Sequence, residues 1–265
     1  MEKGRQETPG SLPPPRAPLS RVVAHRGNAA DFPENTLPAF ASALEAGLSW
    51  VEMDIQLSAD GVPFVIHDAR LERTTRAAGD LRLMPASELA AVDAGEPRRF
   101  GDAHRATALP RLADFAALLA GHPGAGAFVE LKRASLRHHG PGVCVQRMFD
   151  ALGAIAARCV PISFDASAIT LARAATGTRI GWVIDGFGPV QLDQLQELQP
   201  DFVFYDHLKC PRPETRLPAG PWRWVAYEVE DAARASVEFS RGADMVESMA
   251  PLRVAAGLRA AGGGA

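Results

Sequence analysis

The chain alternates between two kinds of apolar pattern. Short runs rich in β-branched and aromatic residues are separated by longer segments in which apolar residues recur every three or four positions, the spacing of amphipathic helices. Eight of the short runs are predicted as strands: residues 22–24, 50–56, 128–131, 160–164, 179–184, 202–205, 224–229 and 244–247. Alternating strands and helices are typical of parallel sheets with right-handed crossovers. Eight such units predict an α/β fold closed into a (β/α)8 TIM barrel rather than an open sheet.

Six of the linking segments carry a helical stripe: residues 37–46, 112–119, 143–157, 166–174, 190–198 and 232–240. The first is the clearest, because Asn35 or Thr36 can cap it and Pro38 falls in its first turn, where a missing N–H does no harm. The link that follows residues 202–205 contains four prolines and no stripe, so it is the weakest unit of the predicted barrel.

A hairpin is predicted directly after the second strand. Asp60-Gly61 is a two-residue turn signal between two β-type runs. With the turn at these two residues, His67 would lie opposite Asp54 and Val65 opposite Gln56, and opposite residues have Cβ atoms about 5 Å apart. Residues 62–67 are therefore expected to fold back over the barrel mouth and to bring His67 to the carboxylates. Residues 69–108 are too long for an ordinary loop, and we predict a small insertion there, above the active face.

Composition excludes several classes of protein. The chain has 265 residues, of which 47% are hydrophobic, and a formal net charge of −3, so a large core is expected and global disorder is not. No basic stripe indicates a nucleic-acid partner, and no run approaches the roughly 18 apolar residues that a membrane-inserted helix needs. Three widely spaced cysteines without a CxxC pair favour reduced thiols and a cytoplasmic location. The oligomeric state stays open.

The two ends of the chain differ from its middle. Residues 1–20 are rich in proline, arginine and polar residues and lack the apolar stretch of a secretory signal, so we expect a disordered tail. The barrel itself is predicted over residues 21–257. A glycine-rich end suggests a flexible tail over residues 258–265.

Three carboxylates are the first candidates for chemistry. Glu52 and Asp54 lie two apart on one predicted strand, so both point to the same face, and Glu130 repeats the geometry on the next strand. Carboxylates buried inside a barrel need a cation, because transfer of charge into a low-dielectric site is costly. The three residues could form an oxygen site for Mg²⁺ or Ca²⁺. The alternative is that they face outward and are only solvated.

Two histidines and an arginine accompany the carboxylates. His25 ends the first strand, and Arg26 and Gly27 follow it; arginine makes forked contacts with phosphate oxygens, and glycine lets the backbone approach a ligand. Together with His67, His25 could serve in acid/base catalysis near neutral pH. Alone, each histidine could equally be a hydrogen-bonded structural residue. No GxSxG, GxxxxGK[ST] or GxGxxG motif offers another chemistry.

Seven segments form a set with a specific order and spacing. They are Ala24-His25-Arg26-Gly27, Pro33-Glu34-Asn35-Thr36, Glu52-Met53-Asp54, Asp60-Gly61 through His67-Asp68, Leu71-Glu72-Arg73-Thr74-Thr75, Glu130-Leu131-Lys132 and Ser163-Phe164. In these segments the chain resembles the glycerophosphodiester phosphodiesterases, the cytoplasmic bacterial type in particular, from about residue 22 to residue 251. The resemblance implies a TIM barrel with an inserted subdomain, divalent-metal dependence, and hydrolysis of small-molecule glycerophosphodiesters to sn-glycerol 3-phosphate and an alcohol.

The resemblance also implies roles by motif position. His25 and His67 would be the acid/base pair. Glu52, Asp54 and Glu130 would hold one divalent cation, which could be Mg²⁺, Ca²⁺ or Mn²⁺. Arg26 and Lys132 would neutralise the phosphate. Glu34 and Asn35 would brace the first loop, either through the metal shell or by hydrogen bonds to Arg26.

Departures from the family pattern concentrate near the C-terminus. Tyr227-Glu228-Val229-Glu230 stands where the family often has Trp-Thr-Val-Asn, and Val246-Glu247-Ser248-Met249-Ala250-Pro251 where it often has Ile-Ile-Thr-Asp-x-Pro. These changes leave the phosphate and metal chemistry untouched but leave the choice of alcohol open.

Other functions remain possible on the sequence alone. A lysophospholipid phosphodiesterase (lysophospholipase D-like) is one, with Leu81, Leu83 and Met84 as the few candidates for an apolar wall. A lyase that stops at a cyclic phosphate is another, since the nucleophile could be water or the glycerol 2-hydroxyl. The third is a catalytically silent barrel that binds phosphodiesters.

Overall fold

Eight parallel strands close into a barrel in the computed structural model, which describes residues 18–209 and 215–262. Hydrogen-bonded neighbours follow chain order around the ring, and the first strand pairs with both the second and the last. The barrel strands are β1 (Val22–His25), β2 (Trp50–Leu57), β4 (Gly126–Leu131), β5 (Cys159–Ser163), β6 (Gly181–Ile184), β7 (Phe202–Asp206), β8 (Arg223–Tyr227) and β9 (Met245–Ser248). A ninth strand, β3 (Pro63–Val65), runs antiparallel to β2. The predicted TIM barrel is confirmed.

Helices cover the outside of the barrel. They are α1 (Leu37–Glu45), α4 (Leu112–Ala120), α5 (Arg133–His139), α6 (Pro141–Leu152), α7 (Ala166–Thr176), α8 (Pro189–Leu198), α9 (Ala232–Arg241) and α10 (Pro251–Gly262). Two four-residue helices, α2 (Ala86–Leu89) and α3 (Pro97–Phe100), lie instead in the segment between β3 and α4. Short 3₁₀ turns occur at Pro18–Arg21, Leu71–Arg73, Leu81–Leu83 and Gly153–Arg158. All six predicted helices are present. Between β7 and β8, the described residues of the link contain no helix, as its prolines predicted.

Two apolar cores lie on the two faces of the sheet. Alternate residues of the strands pack outward against the helices, and the others fill the barrel. Inside, Phe128 stacks on Trp50 with ring centres 4.6 Å apart and meets Phe202 and Phe204 edge-on, each at 5.0 Å. This aromatic cluster fills the barrel below its C-terminal mouth, so the polar groups at the mouth lie above an apolar layer.

The hairpin after β2 pairs one residue away from the predicted register. Gln56 lies opposite Phe64, where the sequence analysis placed Val65. The turn holds three residues rather than two, and the last of them, Gly61, has φ +79°. The Asp60 carboxylate accepts a hydrogen bond from the backbone amide that begins α2, at 3.0 Å. Contacts with the insertion thus help to define a turn that the local sequence alone did not.

The register change means that His67 does not lie opposite Asp54. The backbone carbonyl of Asp54 instead accepts a hydrogen bond from the amide of Ile66, at 2.9 Å. The chain then leaves the ladder, and Gln56 Nε2 donates to the backbone carbonyl of His67 at 2.9 Å. This bond, rather than strand pairing, holds His67 at the barrel mouth.

The segment between β3 and α4 has a small core of its own. Its members include Leu71, Leu81, Leu89 and Leu109, all buried, packed with Phe64 of β3. The segment lies where the insertion was predicted, and its boundaries stay a prediction.

The predicted tails have different outcomes. Residues 1–17 of the N-terminal tail lie outside the described residues, whereas Pro18–Arg21 form a 3₁₀ turn. The C-terminal prediction needs correction: α10 continues to Gly262, and Leu258 packs against the outer core, so residues 258–262 are helical. Among the described residues, every helix is too short or too polar to cross a lipid bilayer.

Candidate active site

A cavity of about 230 Å³ opens at the C-terminal mouth of the barrel. Strand ends and the loops that follow them supply its walls, as in barrel enzymes generally. The lining residues are His25, Arg26, Glu52, His67, Glu130, Lys132, Ile162, Phe164, Val183, Phe204, Asp206, Lys209, Tyr227, Glu228 and Glu247. Polar groups predicted from distant parts of the sequence thus share one cavity.

The three predicted carboxylates converge. Glu52 and Asp54 point into the barrel, and Asp54 is the parallel partner of Glu130 in the β2–β4 ladder. All three side chains are buried, and one oxygen of each lies within 4.8 Å of the others. The alternative that they face solvent is therefore wrong.

Two cations lie among these carboxylates. Lys132 Nζ is 3.1 Å from Asp54 Oδ1 and 2.9 Å from Glu130 Oε1. Arg26 Nε is 3.1 Å from Asp54 Oδ2, which also accepts a hydrogen bond from Asn35 Nδ2 at 2.9 Å. Asp54 is thus held from both sides, and Asn35 braces it as well as the first loop.

Burial and neighbouring charges shift the pKa values of the three carboxylates in different directions. Burial raises the pKa of Glu52 well above its usual value, and the charges of Asp54 and Glu247 add to the effect. Burial also raises the pKa of Glu130, despite the opposing charge of Lys132. Burial alone would raise the pKa of Asp54 too, but Lys132 and Arg26 outweigh it and hold that pKa well below its usual value. When all three carboxylates are ionised, the cluster carries one more negative charge than its two cations compensate.

The loop after β1 has an unusual backbone that aims Arg26 at the site. Arg26 and Gly27 both have positive φ, +56° and +84°. The Arg26 amide donates to Glu52 Oε2 at 3.1 Å. At Gly27, a Cβ atom would lie 2.7 Å from the backbone carbon of Ala39, so only glycine fits between the loop and α1.

His25, at the end of β1, and His67, just after β3, line the same cavity. His25 is buried, with Nε2 3.7 Å from Glu52 Oε2 and with no hydrogen-bond partner on Nδ1. Burial, and then the charge of Arg26, lowers the pKa of His25 well below its usual value. His67 Nδ1 lies 2.6 Å from Asp68 Oδ1, which leaves Nε2 for proton exchange. Their roles as acid and base stay a prediction.

Arg73 connects Glu34, in the loop after β1, with Asp68, the partner of His67. Its role was not predicted from the sequence. Its guanidinium pairs with both oxygens of Glu34, at 2.8 Å each, and with Asp68 Oδ2 at 2.6 Å. Glu34 in turn pairs with Arg26 at 3.0 Å. Glu34 thus contacts both Arg26 of the first loop and Arg73 of the insertion, and its bracing role stays a prediction. The position of Arg73 in the Leu71–Thr75 motif was the available signal in the sequence.

Glu247 is a second residue that the sequence analysis did not assign to the site. It is the penultimate residue of β9, is only 3% exposed, and lines the cavity. Burial, and then the charges of Glu130 and Asp54, raise its pKa well above the usual value. An acidic residue at the end of the last strand, two positions after inward-facing Met245, was the signal in the sequence.

The candidate lipid-binding residues do not form a wall of the cavity. Leu81 is buried in the core of the insertion, Leu83 is 69% exposed, and Met84 packs on that same small core. None of the three lines the cavity.

Comparison with known proteins agrees with this geometry. The chain matches the family model of the glycerophosphoryl diester phosphodiesterases over residues 25–207. A glycerophosphodiester phosphodiesterase of Caldanaerobacter subterraneus subsp. tengcongensis is 40% identical over 91 residues, 34% of this chain and 37% of the relative. One from Bacillus altitudinis is 34% identical over 122 residues, 46% of this chain and 49% of the relative. The chain thus matches less than half the length of these curated relatives.

Solved structures share the whole barrel. A phosphodiesterase of Oleispira antarctica, in complex with the product sn-glycerol-3-phosphate, superposes with a TM-score of 0.80 at 24% identity, over 91% of this chain and 97% of that one. The glycerophosphodiester phosphodiesterase of Agrobacterium tumefaciens gives a TM-score of 0.66 at 24% identity, over 89% and 99%. These likenesses establish a common fold. The family match, which runs from His25 at the end of β1 to the residue after β7, shows in addition that the chain belongs to the glycerophosphoryl diester phosphodiesterase family.

Proposed function

We propose that the protein hydrolyses glycerophosphodiesters to sn-glycerol 3-phosphate and an alcohol, with a divalent cation and two histidines. The observation that carries the proposal is the single cavity lined by Glu52, Glu130, two cationic side chains and both histidines, with the buried Asp54 carboxylate grouped with those of Glu52 and Glu130. Family membership and the product-bound structural relative support the same reaction.

The donor set fits a hard divalent cation. Glu52, Asp54 and Glu130 offer carboxylate oxygens only, the ligands that Mg²⁺, Ca²⁺ and Mn²⁺ prefer. Lys132 and Arg26 contact these carboxylates, but two positive charges do not balance three ionised carboxylates. Burial of the remaining negative charge is costly without a further cation. A bound divalent cation would neutralise this cluster and stabilise negative charge on the phosphoryl oxygens.

Arg26 and Lys132 orient the phosphate. Both line the cavity beside the carboxylates, and both carry donors that match phosphate oxygens. Because Asp54 and Glu34 fix Arg26, and Asp54 and Glu130 fix Lys132, neither side chain needs to reorganise when charge grows on the phosphoryl group.

The histidines move protons. One accepts the proton of the nucleophile as its oxygen bonds to phosphorus, and the other gives a proton to the alcohol oxygen as the P–O bond breaks. If the nucleophile is water, the products form in one step. If it is the glycerol 2-hydroxyl, a cyclic phosphate forms first and a second exchange opens it. Hydrolysis in ¹⁸O-labelled water with an early quench distinguishes the two routes, because only the second accumulates the cyclic ester.

Metal dependence is tested on chelator-treated protein. Glycerophosphocholine, glycerophosphoglycerol and lysophosphatidylcholine are each supplied with Mg²⁺, Ca²⁺ or Mn²⁺. Release of the alcohol, choline or glycerol, is measured for all three, together with glycerol 3-phosphate from the two diesters and lysophosphatidate from the lysophospholipid. We expect activity on the two glycerophosphodiesters to return with at least one of the ions. Full activity in the chelator-treated protein would exclude the metal, and turnover of the lysophospholipid alone would favour the lysophospholipase D-like alternative.

The histidine pair is tested by substitution. His25→Ala and His67→Ala should each lower kcat about 10²- to 10⁴-fold, the usual contribution of general acid/base catalysis. His138→Ala, at an exposed histidine on α5, is the matched control and should retain activity. Near-full activity in both site variants with metal present would exclude histidine catalysis, and no activity in the unsubstituted protein would favour the silent barrel.

A further inference from the structure

Glu247 has a carboxylate oxygen without a partner. The side chain is only 3% exposed and faces the cavity, and its Oε1 atom makes no hydrogen bond. The other buried acids of the site each have a cation or a backbone donor within contact distance. A buried carboxylate left open in this way is costly unless a ligand of opposite charge completes it.

The surroundings of Glu247 define one wall of the cavity. Ala226 pairs with Val246 across β8 and β9, so the next residues, Tyr227 and Glu247, lie side by side near the ends of neighbouring strands. On the other flank of Tyr227, its register partner is Asp206 of β7. This wall therefore has an aromatic ring between two carboxylates, whereas the predicted metal-binding and phosphate-binding groups come from β2 and from the ends of β1 and β4.

Charge balance favours a cation at this wall. Five acidic and three basic side chains line the cavity, so its lining is acidic even before buried Asp54 is considered. A divalent cation and a singly charged phosphodiester together add one positive charge, which leaves an excess of negative charge. Asp206 already has Lys209 Nζ at 3.2 Å. When the lining acids are ionised, the uncompensated charge therefore falls on Glu247 and on exposed Glu228.

The chain directly after Glu247 and β9 is held in place by two hydrogen bonds of Met249. Glu230 Oε1 accepts a hydrogen bond from the amide of Met249 at 3.0 Å, and the Met249 carbonyl accepts one from the amide of Ala30 at 2.7 Å. The end of β9 is thereby tied to both β8 and the loop after β1. Glu247 is a fixed wall residue rather than a mobile one.

We propose that Glu247 and Tyr227 form a subsite for an alkylammonium head group on the departing alcohol. The proposal rests on the hydrolysis proposed above and names its preferred substrate class. A substrate whose phosphate lies at the β1, β2 and β4 side reaches β8 and β9 with its alcohol substituent. There the Glu247 carboxylate pairs with the ammonium, and the ring of Tyr227 offers its face to the same charge.

The test compares head groups at matched phosphate chemistry. We measure kcat/KM for glycerophosphocholine and glycerophosphoethanolamine against glycerophosphoglycerol, whose head group is neutral. The unsubstituted protein should prefer each cationic substrate by about tenfold or more, the usual size of a charge-assisted contact. Glu247→Gln, which keeps the shape and removes the charge, should lower that ratio about tenfold, and Glu247→Asp should restore part of it. Glu197→Gln, at an exposed acid on α8, should leave the ratio unchanged.

Three outcomes would overturn the subsite. The first is an equal preference for neutral and cationic head groups in the unsubstituted protein. The second is an unchanged ratio in Glu247→Gln. The third is an equal loss on every substrate together with weaker Mg²⁺ or Ca²⁺ binding by calorimetry, which would make Glu247 part of the metal site. If choline and ethanolamine substrates differ from each other but both depend on Glu247, the aromatic wall selects between them.

Failure of the proposed function is distinguishable from failure of the subsite. A protein that hydrolyses glycerophosphoglycerol without a head-group preference retains the proposed function and refutes the subsite. A protein that hydrolyses neither substrate refutes the function. In that case calorimetric binding of glycerophosphocholine against glycerophosphoglycerol, in the unsubstituted protein and in Glu247→Gln, still supports the subsite if the preference depends on Glu247 and refutes it otherwise.

Discussion

The two sides of the cavity mouth are built differently. On the side of β1, β2 and the insertion, ion pairs run in a continuous series from His67 through Asp68, Arg73, Glu34 and Arg26 to Asp54. On the side of β8 and β9, Glu247 has an unpaired oxygen, and the neighbouring charges are exposed or paired only with each other. On the first side each carboxylate has a cationic or hydrogen-bonding partner from the protein, whereas on the second side a buried carboxylate oxygen is left for a ligand.

This difference corresponds to two tasks. Groups that act on the transition state work best when their orientation is fixed before the substrate arrives, because no energy is then spent on reorganisation. Groups that choose among substrates need open valences, because a site selects for a charge only when that charge is what satisfies it. We therefore expect substitutions on the paired side to affect turnover, and substitutions on the open side to affect selectivity.

On the paired side of the cavity, we expect a large loss of turnover from removal of Arg73. Arg73→Ala leaves Glu34 with Arg26 alone and frees Asp68, so both the first loop and His67 lose a restraint. We expect kcat to fall about 10- to 100-fold, in line with the 10²-fold losses that follow a small misplacement of catalytic groups, while KM changes little. Steady-state kinetics on glycerophosphocholine measures both constants.

Two further variants separate positioning from folding. Arg73→Lys keeps the charge but cannot span Glu34 and Asp68 with one planar fork, so it should restore kcat only in part. Arg70→Ala removes an arginine of the same insertion whose side chain is 68% exposed, and it should be neutral. If Arg73→Ala lowers the melting temperature and raises KM without changing kcat, Arg73 is a structural residue only.

Much of the paired side could be predicted from the sequence. Alternation along β2 predicted that Glu52 and Asp54 share a face, and their burial beside Glu130 confirms it. Such short-range periodicity is a property of the strand itself and needs no tertiary information. The eight-strand alternation predicted the closed barrel for the same reason.

What could not be predicted depends on distant contacts. The Asp60-Gly61 turn holds three residues, with Asp60 bonded to the start of α2, so the register slipped by one residue. The Arg73–Glu34 pair joins residues 39 apart, and nothing local in either segment predicts it. Glu247 reaches the cavity because β9 closes the ring onto β1, a neighbour at the opposite end of the chain.

A second prediction concerns the backbone of the paired side. Gly27→Ala places a Cβ atom 2.7 Å from the backbone carbon of Ala39, at a residue with φ +84°. Gly177→Ala, with φ +68° and open space around it, isolates the conformational cost alone, about 1–2 kcal/mol. We expect Gly27→Ala to lower the free energy of unfolding by about 1–3 kcal/mol more than Gly177→Ala does, because the overpacked loop cannot relax.

Urea denaturation of both variants measures that difference. Residual activity at a temperature where Gly27→Ala stays folded should also fall, since Arg26 precedes the displaced residue. Equal destabilisation by the two substitutions would mean that the loop and α1 separate easily, and the paired side would then be less rigid than its ion pairs indicate.

The smallest expected effect belongs to Glu228, on the open side. Its charge lines the cavity as Glu247 does, but its side chain is exposed, and water and salt screen exposed charges strongly. Glu228→Gln should therefore change the preference for glycerophosphocholine over glycerophosphoglycerol by no more than about threefold, an effect of the size seen for surface pairs, and less at high ionic strength. Competition between the two substrates in one reaction resolves so small a change. If Glu228→Gln matched the loss in Glu247→Gln, selectivity would follow from the summed negative field of the wall, and burial of one open carboxylate would not be its cause.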